Sequence, residues 1–381
     1  MSALGIYCHI PFCVKKCAYC DFPSFSISSD DEIKQYFKAL QKEIKAFASK
    51  HNNEELPLVD TIYFGGGTPS AVAPEYISET MALLDRVFSI SKDAEQTIEI
   101  NPGTLSQKKA EIFRASGFNR VSMGLQAWQD DLLKSLGRIH RQADFIKSMN
   151  LLKEAVFDNI SVDLMYGLPG QRVMDVVDSL TALMDFSPTH LSCYSLILEA
   201  GTPMQKRAAR GDICLPDEDI ERAMHWEINS FLKAHGYDHY EISSYGKPGY
   251  ESRHNLKYWE EIPYCGFGLG AHGFYNGSRY GNTDNLSDYI TALEDDRDPG
   301  VNDAPLTGDQ LMSEWLFLGL RKLKGVDDGV FQKRFGKSFF ALYKNDIDSL
   351  INKGLLVREG SNLRLTNHGQ DFGNQVFMAF I

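Results

Sequence analysis

The stretch GIYCHIPFCVKKCAYCDF, residues 5–22, joins a short apolar run to a cysteine-rich loop. The run GIYCHI has the β-branched and aromatic residues that are typical of a buried strand. Cys13, Cys17 and Cys20 follow at the spacing C-x3-C-x2-C, and Phe22 occupies the next alternate position. Three thiolates leave a four-ligand zinc site incomplete, whereas an iron–sulfur cube with three cysteines keeps one iron open. We therefore expect a 4Fe–4S cluster with one open iron directly after the first strand.

Two other interpretations of these cysteines remain open. A zinc ion could be completed by His9 or by a distant residue, or the three thiols could stay unligated in a loop that faces the core. The chain has seven cysteines, an odd number that fits a reducing compartment better than a disulfide framework. The N-terminus has no basic region followed by a long apolar run, and no stretch has 18 consecutive apolar residues. We therefore expect a cytoplasmic protein without a membrane span.

Short β-branched runs alternate with longer helical patterns from residue 5 to about residue 200. The helical segments, such as 31–47 with Ser29 or Asp30 as its N-cap, connect one strand to the next. Strands joined by such crossovers pair in parallel. The sequence therefore predicts an α/β fold, a partial TIM-like barrel of six βα units. Its predicted strands are residues 5–10, 60–64, 97–100, 120–125, 160–166 and 190–198.

The pattern changes after about residue 205. We expect a helix around 217–235, then irregular aromatic- and glycine-rich structure over 237–245 and 254–274 that closes one side of the barrel, and a polar linker over 285–305. Beyond the linker, helices followed by a hairpin at 354–366 indicate a winged-helix-like α+β domain. The predicted domains are the barrel at 1–240, a connecting segment with the motif HNLKYW at 241–305, and the winged-helix-like domain at 306–381.

The charge of the chain argues against a nucleic-acid partner. The formal charge is −12, from 39 basic and 51 acidic side chains. Binding to phosphates needs concentrated lysine and arginine. Residues 306–381, the part that resembles a DNA-binding architecture, carry 10 basic and 8 acidic side chains, so we expect no readout of DNA through them.

Polar residues stand at the ends of successive predicted strands. GGGTPS (65–70) follows the second strand, and its glycines let the backbone approach a ligand closely. No Gly-Lys-Ser/Thr follows, so it is not a phosphate loop. Glu99, Gln126 and Asp163 end later strands, and Arg138 lies in a loop. Each alone fits a turn, a strand cap or a surface charge, but strand C-termini share one face of a barrel, so we expect these residues to converge.

The cysteine spacing resembles the signature of the radical S-adenosylmethionine superfamily, in which the methionine amino and carboxylate groups of the cofactor chelate the fourth iron. Reduction of the cluster then cleaves the sulfonium to methionine and a 5′-deoxyadenosyl radical. The wider set of motifs resembles the oxygen-independent coproporphyrinogen oxidase family and its heme-binding relatives, the HemW-type heme chaperones, through most of residues 5–275. These motifs are YCHIPFCVKKCAYCDF, FGGGTPS, EINPGT, SMGLQ, GRIHR, DLMYGLPGQ and HNLKYW.

The resemblance implies roles for individual residues. Arg138 would pair with the methionine carboxylate, Asp163 with the ribose hydroxyls, and Glu99 with an amine or the ribose. The glycine-rich motif would bind the methionine amino group. The implied cluster ligands are Cys13, Cys17 and Cys20, and the implied S-adenosylmethionine site comprises Tyr7, Tyr19, Gly66, Gly67, Thr68, Glu99, Gln126, Arg138 and Asp163.

Two features separate the branches of this family. The cysteine motif of the oxidases has the form C-x3-C-x2-C-x-C, whereas the heme-binding branch has phenylalanine at the last position. In this chain that position is Phe22. The oxidases also carry an N-terminal extension ahead of the first strand. In this chain the first strand begins near residue 5, so we expect that extension to be missing. Both features favour the heme-binding branch.

The motif HNLKYW, residues 254–259, matches the H-N-x-x-Y-W motif of the heme chaperones. A neutral imidazole is a good axial ligand for heme iron, and aromatic rings offer flat apolar contact to a porphyrin. A histidine capped within an aromatic core is the structural alternative. The candidate heme residues are His254, Tyr258 and Trp259, with Cys265 and His272 as further candidates.

The sequence therefore predicts a heme chaperone that carries a 4Fe–4S cluster and S-adenosylmethionine and delivers heme to apo-hemoproteins, such as membrane respiratory enzymes. Two enzymatic functions stay open as alternatives. One is oxidative decarboxylation of coproporphyrinogen III to protoporphyrinogen IX, and the other is radical chemistry on an unrelated substrate. In a chaperone the cluster could reduce heme iron, gate heme release, or hold two chains together as a homodimer.

Overall fold

A twelve-stranded sheet forms the body of the computed structural model, which describes residues 3–51, 56–301 and 305–381. Sheets of three and two strands accompany it in those residues. The strands are β1 (Leu4–Ile10), β2 (Phe12–Cys13), β3 (Phe25–Ser26), β4 (Val59–Gly66), β5 (Ile90–Ile100), β6 (Arg120–Gln126), β7 (Asn159–Tyr166), β8 (His190–Ser195), β9 (Asp238–Glu241), β10 (Ser244–Gly246), β11 (Tyr264–Phe267), β12 (His272–Tyr275), β13 (Ser278–Asn282), β14 (Gly300–Val301), β15 (Val326–Asp327), β16 (Leu356–Glu359) and β17 (Asn362–Leu365).

Helices connect these strands and cover the sheet. One short 3₁₀ helix, Pro69–Ala71, follows β4. The α-helices are α1 (Asp30–Lys50), α2 (Pro74–Val87), α3 (Gln107–Ala115), α4 (Asp130–Ser135), α5 (Gln142–Glu154), α6 (Val173–Met184), α7 (Pro203–Ala209), α8 (Glu218–Ala234), α9 (Arg253–Trp259), α10 (Leu286–Glu294), α11 (Gly308–Gly319), α12 (Asp328–Phe335), α13 (Phe339–Leu342), α14 (Lys344–Asn352), α15 (Asn367–Asp371) and α16 (Gly373–Met378).

The six strands predicted from the sequence form the parallel centre of the large sheet, in the order β1, β4, β5, β6, β7 and β8. Every residue of β6 is buried, as expected for a parallel strand that is covered on both faces. Ser29 caps α1 by accepting a hydrogen bond from the backbone N–H of Glu32. The predicted mixed α/β class and partial barrel are confirmed.

Residues 237–245, which include β9 and the start of β10, are more regular than the sequence predicted. Residues 254–274 are more regular as well. They contain α9, then β11, which pairs in parallel with β1, and β12, which begins an antiparallel edge with β13. The prediction of irregular structure was wrong because each of these strands is short and glycines interrupt the pattern. The pairing of β11 with β1 joins two distant parts of the chain, which local periodicity does not report.

The predicted linker at 285–305 also contains regular structure. Residues 286–294 form α10, which packs against α1, and its buried residues include Tyr289 and Leu293. The acidic and proline-rich residues after the helix dominated the composition of this segment and concealed its helical spacing. Residues 302–304 of the predicted linker lie outside the described residues.

The C-terminal part builds a second core on a small antiparallel sheet of order β15, β17, β16. β16 and β17 form the predicted hairpin around Gly360 and Ser361. This part contacts the barrel beside α9, because the Arg321 guanidinium lies 4.4 Å from the centre of the Trp259 ring. None of the helices within the described ranges combines the length and the apolar composition needed to cross a membrane.

Candidate functional site

The three predicted cluster cysteines lie on one segment, Cys13–Phe22, which we call the cluster loop. Cys13 ends β2 and is buried, whereas Cys17 and Cys20 are partly exposed. All three line one cavity of about 510 Å³, the cofactor cavity, together with residues from the carboxyl ends of β4 to β8. Burial raises the pKa of the Cys13 and Cys20 thiols, so iron binding has to displace their protons.

The described residues do not support a zinc ion that is completed by His9. The described residues contain no three His, Cys, Asp or Glu side chains that are grouped around one metal position. His9 has both ring nitrogens engaged, because Nδ1 lies 2.9 Å from the Tyr7 hydroxyl and Nε2 lies 3.0 Å from the Pro23 carbonyl oxygen. In an iron–sulfur cube each thiolate binds a different iron, so the sulfurs need not converge on one point.

The strand-end residues meet in the cofactor cavity. Eight of the nine residues implied for S-adenosylmethionine line it, and Tyr7 is the exception. The convergence follows from the parallel strands, whose carboxyl ends open on the same side of the sheet. The eight are Tyr19, Gly66, Gly67, Thr68, Glu99, Gln126, Arg138 and Asp163.

Glu99 holds the glycine-rich turn in place. Its carboxylate accepts a hydrogen bond of 2.7 Å from the Tyr63 hydroxyl and one of 3.0 Å from the Gly66 backbone N–H. Desolvation by the surrounding protein raises the pKa of the Glu99 carboxyl to about 7, although these two hydrogen bonds oppose the shift. The side chain is therefore partly protonated near neutral pH, and a bound cationic group would favour its ionised form.

Asp163 has a similar environment on β7. Ser122 donates a hydrogen bond of 3.2 Å to the Asp163 carboxylate. Desolvation raises the pKa of this carboxyl to about 6. The Arg120 guanidinium opposes that rise, and its Nε is buried without a hydrogen-bond partner among the described residues. The cavity thus contains two carboxyl groups whose charge depends on what binds between them.

Arg138 connects the strand ends to the cluster loop. Its guanidinium donates to the Gly124 carbonyl oxygen at 2.6 Å, to the Asn101 side-chain oxygen, and to the Cys17 sulfur at 3.5 Å. Arg138 Nε is buried and has no hydrogen-bond partner in the described part of the chain. The cation lies beside one predicted cluster ligand, where it can attract both a thiolate and a ligand carboxylate.

Gln126 has a strained backbone at the end of β6. Its φ is +74°, in the left-handed region that non-glycine residues rarely adopt. Its buried side-chain oxygen accepts a hydrogen bond of 2.8 Å from the Tyr194 hydroxyl. Strain of this kind persists only where the surroundings hold it, and here it directs an amide into the cofactor cavity.

The turn Gly66-Gly67-Thr68 packs directly on the end of β1 and on β2, just before the cluster loop. The backbone N–H of Gly67 donates to the Ile10 carbonyl oxygen at 2.9 Å, and that of Thr68 to the Phe12 carbonyl oxygen at 2.8 Å. A Cβ on Gly67 would lie 2.8 Å from both carbonyl oxygens. Thr68 also donates from its hydroxyl to the Cys13 sulfur at 3.6 Å. The glycine is therefore required by this close contact.

The two tyrosines of the implied cofactor site lie apart. Tyr19 lines the cofactor cavity, and desolvation raises the pKa of its hydroxyl. Tyr7 lies on the wall of a second cavity, where its hydroxyl meets His9. The structure therefore does not bring Tyr7 into the cavity that contains the cysteines.

The histidine of HNLKYW is buried in α9. His254 Nδ1 lies 2.9 Å from the Thr61 hydroxyl, and Nε2 lies 2.8 Å from the Tyr258 hydroxyl. Desolvation lowers the pKa of the His254 imidazole to about 3, so the ring is neutral at physiological pH. Both ring nitrogens are engaged, and coordination of iron by His254 would require one of these bonds to break.

The other heme candidates separate into three places. Tyr258 lines the second cavity, whereas Trp259 lies against Arg321 of the C-terminal part and lines neither of the two cavities. Cys265 is fully buried in β11. His272 is exposed at the start of β12 and lines the second cavity.

The second cavity has a volume of about 990 Å³, and we call it the aromatic cavity. Its lining residues come from the cluster loop and the residues just after it, from β1, from α9, and from the strands β11 to β14 with the segments between them. Lys16, Asp21 and Phe22 line both this cavity and the cofactor cavity. The cluster loop therefore separates two neighbouring binding spaces.

Sequence reasoning missed several residues of the cofactor cavity. Tyr63 and Asn101 hold Glu99 and Thr68, since Asn101 donates to the Thr68 hydroxyl at 2.7 Å. Asn101 was detectable because it follows Glu99 in the same strand-end motif, EINP. Arg120 and Tyr194 had no comparable signal, because only the tertiary structure directs them into the cavity.

The cofactor cavity fits a zwitterionic ligand beside a cluster. S-Adenosylmethionine carries an ammonium, a carboxylate and ribose hydroxyls. The cavity offers two carboxyl groups, Glu99 and Asp163, and two guanidinium groups, Arg120 and Arg138, whose Nε atoms have no hydrogen-bond partner among the described residues. Leaving these buried polar atoms unpartnered is costly, and a bound zwitterion would supply their partners.

Two family models match the sequence. That of the Radical SAM superfamily matches residues 7–183, and that of the HemN C-terminal domain matches residues 306–372.

Curated relatives match nearly the whole chain. The heme chaperone HemW of Bacillus subtilis (strain 168) is 38% identical, with 98% of each chain covered. The heme chaperone HemW of Escherichia coli (strain K12) is 31% identical, with 100% of this chain and 99% of its own covered.

A solved structure shares the fold. Coproporphyrinogen III oxidase (HemN) from Escherichia coli, a Radical SAM enzyme, matches with a TM-score of 0.86 over 100% of this chain and 90% of its own. The two sequences are 23% identical, so the likeness concerns the fold.

Proposed function

We propose that this chain, which belongs to the HemW family of the Radical SAM superfamily, binds heme and delivers it to hemoproteins such as respiratory enzymes. In this proposal Cys13, Cys17 and Cys20 hold a 4Fe–4S cluster, and S-adenosylmethionine occupies the cofactor cavity. The names of the full-length relatives support heme as the cargo. The unpaired state of all seven cysteines supports work in a reducing compartment, the cytoplasm.

The observation that carries the proposal is the position of Phe22. It stands where the resembling oxidases have a further cysteine, and its side chain is 57% exposed. It also borders both cavities. An exposed phenylalanine beside a large cavity is costly in water unless it meets an apolar partner, and a porphyrin face is such a partner.

The proposed cofactor contacts follow from the charges of the cavity. Glu99 would receive the methionine ammonium, Arg138 the methionine carboxylate and Asp163 the ribose hydroxyls, with the Gly66-Gly67-Thr68 turn, Gln126 and Tyr19 beside them. When bound, the cluster and cofactor together supply one-electron chemistry. The protein's own contribution is to hold the carboxylate next to the Cys17 thiolate through one guanidinium.

In the same proposal the motif HNLKYW shapes the heme site. His254 hydrogen-bonds the Tyr258 hydroxyl, and the Tyr258 ring meets the Tyr264 ring edge-on at 4.7 Å. This pair forms part of the aromatic cavity wall. Replacing His254 should therefore disturb Tyr258 even if the imidazole never touches iron.

The experiment is to fill the cluster anaerobically, titrate with heme and follow absorption, while assaying coproporphyrinogen turnover on the same sample. Stoichiometric heme binding and transfer to an apo-hemoprotein are expected, without conversion of coproporphyrinogen III to protoporphyrinogen IX. An unrelated protein of equal size is the control for non-specific heme binding. Binding no tighter than in that control would contradict the proposal, and turnover would instead favour the oxidase.

A further inference from the structure

The aromatic cavity has the size and lining of a small-molecule site. Its volume of about 990 Å³ lies at the upper end of the roughly 300–1,000 Å³ that is usual for such sites. The aromatic side chains that line it include Phe22 and Phe25, on and just after the cluster loop, and Tyr258 and Tyr264, on α9 and β11. Phe22 and Val301 are 57% and 61% exposed, which is unusual for large apolar side chains that share one cavity.

One imidazole in this cavity is free to coordinate a metal. His272 is exposed at the start of β12, and within the described ranges no hydrogen bond or ion pair involves its ring. His9, the other histidine of the wall, has both nitrogens engaged. His254 does not line the cavity and is engaged in the same way. A neutral imidazole with an accessible nitrogen is the usual protein ligand of heme iron.

The strand pairing holds the His272 ring in a defined place. His272 lies opposite Gly281 in the antiparallel pair of β12 and β13. A Cβ on Gly281 would come within 2.7 Å of the imidazole Nδ1 and Cε1. The ring therefore rests over the glycine, and an added methyl group would displace it.

The cavity offers one cation for an anionic ligand. Lys16 is the only lysine or arginine among the described residues of the wall, and it lies on the cluster loop, where its ammonium donates to the Phe22 carbonyl oxygen at 2.8 Å. Asp21 and Asp284 also line the cavity. A flat apolar ring with carboxylate substituents on one edge suits this arrangement if that edge points toward Lys16.

We propose that heme binds in the aromatic cavity with His272 as the axial ligand of its iron. In this arrangement the porphyrin faces contact the aromatic walls, and a propionate pairs with Lys16. The inference rests on the proposed heme-binding function and names its site. It also assigns His254 the role of a positioning residue, which holds Tyr258 at the wall and does not bind iron.

The location has a consequence for the cluster. Lys16, Asp21 and Phe22 belong to the loop that carries the cluster cysteines, and they line both cavities. A filled cluster restrains this loop, and the restrained loop is one wall of the heme site. Heme should therefore bind more weakly to the cluster-free protein than to the holoprotein.

The test is a ferric-heme titration of the cluster-filled protein, read by the Soret band and by EPR of the iron. The variants are His272→Ala and His254→Ala, with His235→Ala as a control at an exposed histidine that lines neither cavity. Loss of an outer partner of a metal ligand already costs about 10- to 100-fold in affinity, so loss of the ligand should cost at least that. We expect His272→Ala to weaken binding at least about tenfold and to change the spin state. Added imidazole should restore the wild-type spectrum, which a folding defect would not allow.

Two further measurements separate ligation from general damage. Gly281→Ala should shift the EPR signal because it displaces the imidazole, although it removes no polar group. Lys16→Gln should weaken binding of heme but not of heme dimethyl ester, whose propionates are uncharged. His254→Ala should keep the axial-ligand spectrum.

The outcomes distinguish this inference from the proposed function. If the wild type binds heme and His272→Ala leaves the affinity and both spectra unchanged, His272 is not the ligand and the inference fails, while the chaperone function stands. If His254→Ala alone removes the ligand signal, the inference also fails. If the wild-type holoprotein binds no heme, both proposals fail together.

Discussion

The most informative single perturbation of the cofactor cavity is Glu99→Gln. Glutamine keeps the shape of the side chain, and after an amide flip it can still accept from the Gly66 N–H and donate to the Tyr63 hydroxyl. The change removes only the ability to ionise. Because a site with raised carboxyl pKa values is destabilised by its own charge, we expect this variant to be more stable than the wild type above neutral pH and to lose S-adenosylmethionine binding.

The sign and size of the stability difference follow from the pKa of Glu99. Desolvation raises the pKa of Glu99 from 4.5 to about 7, so the folded state holds this proton more tightly than the unfolded state. The wild type therefore loses stability as pH rises from about 4.5 to 7 and carries the full penalty above 7. The difference between these two pKa values corresponds to ~3 kcal/mol for ionising Glu99 in the folded protein. Water in the cavity screens part of this free energy, which leaves a destabilisation of about 2 kcal/mol.

The assay is urea unfolding of cluster-filled protein without S-adenosylmethionine, at pH 5 and pH 8, with calorimetric titration of the cofactor on the same samples. Glu99→Gln should be about 2 kcal/mol more stable than the wild type at pH 8 and nearly equal to it at pH 5. Glu79→Gln, at an exposed carboxylate on α2, is the matched control and should show no such difference. A stability difference that does not depend on pH would refute the electrostatic argument, and unchanged cofactor binding would remove Glu99 from the site.

Three further predictions address the loop and the motif. Gly67→Ala should lower the iron content of the protein and the charge-transfer absorption of the cluster. The added methyl group would meet the carbonyl oxygens of Ile10 and Phe12, just before the cluster loop. Normal iron loading would contradict this prediction. Trp259→Ala should lower the melting temperature through lost contact with Arg321 but leave the heme spectrum unchanged, and a changed Soret band would place the ring in the heme site. Joint replacement of Cys13, Cys17 and Cys20 by serine should abolish the cluster and weaken heme binding, whereas unaltered heme affinity and transfer would show that the cluster has no part in either.

The cluster loop links the two cavities. The cluster loop forms a wall of each cavity, so a change at one of its positions affects both. A cysteine at position 22 would add a thiol at this shared wall, whereas Phe22 adds apolar surface. In the proposed function, this apolar surface is where a porphyrin face would lie.

Local patterns determined much of this protein. The six parallel strands could be predicted because each is a β-branched run that is followed by a segment with helical periodicity. Parallel strands also place their carboxyl ends on one side of the sheet. The cysteine spacing and the strand-end residues Glu99, Gln126 and Asp163 could also be predicted from local patterns. They stand at fixed offsets within a few residues of a strand end, which is a property of the sequence alone.

Only the tertiary structure decided which of the remaining candidates can meet a ligand. HNLKYW reads as one motif, yet its helix buries His254 between Thr61 and Tyr258 and turns Trp259 toward the C-terminal part. The His272 ring, in contrast, has no hydrogen bond or ion pair within the described residues. The pairing of β11 with β1 and of β12 with β11 and β13 places it in the same cavity as residues of the cluster loop. These pairings join distant segments, and the exposure of a side chain depends on every segment packed around it, so neither composition nor local spacing reports them.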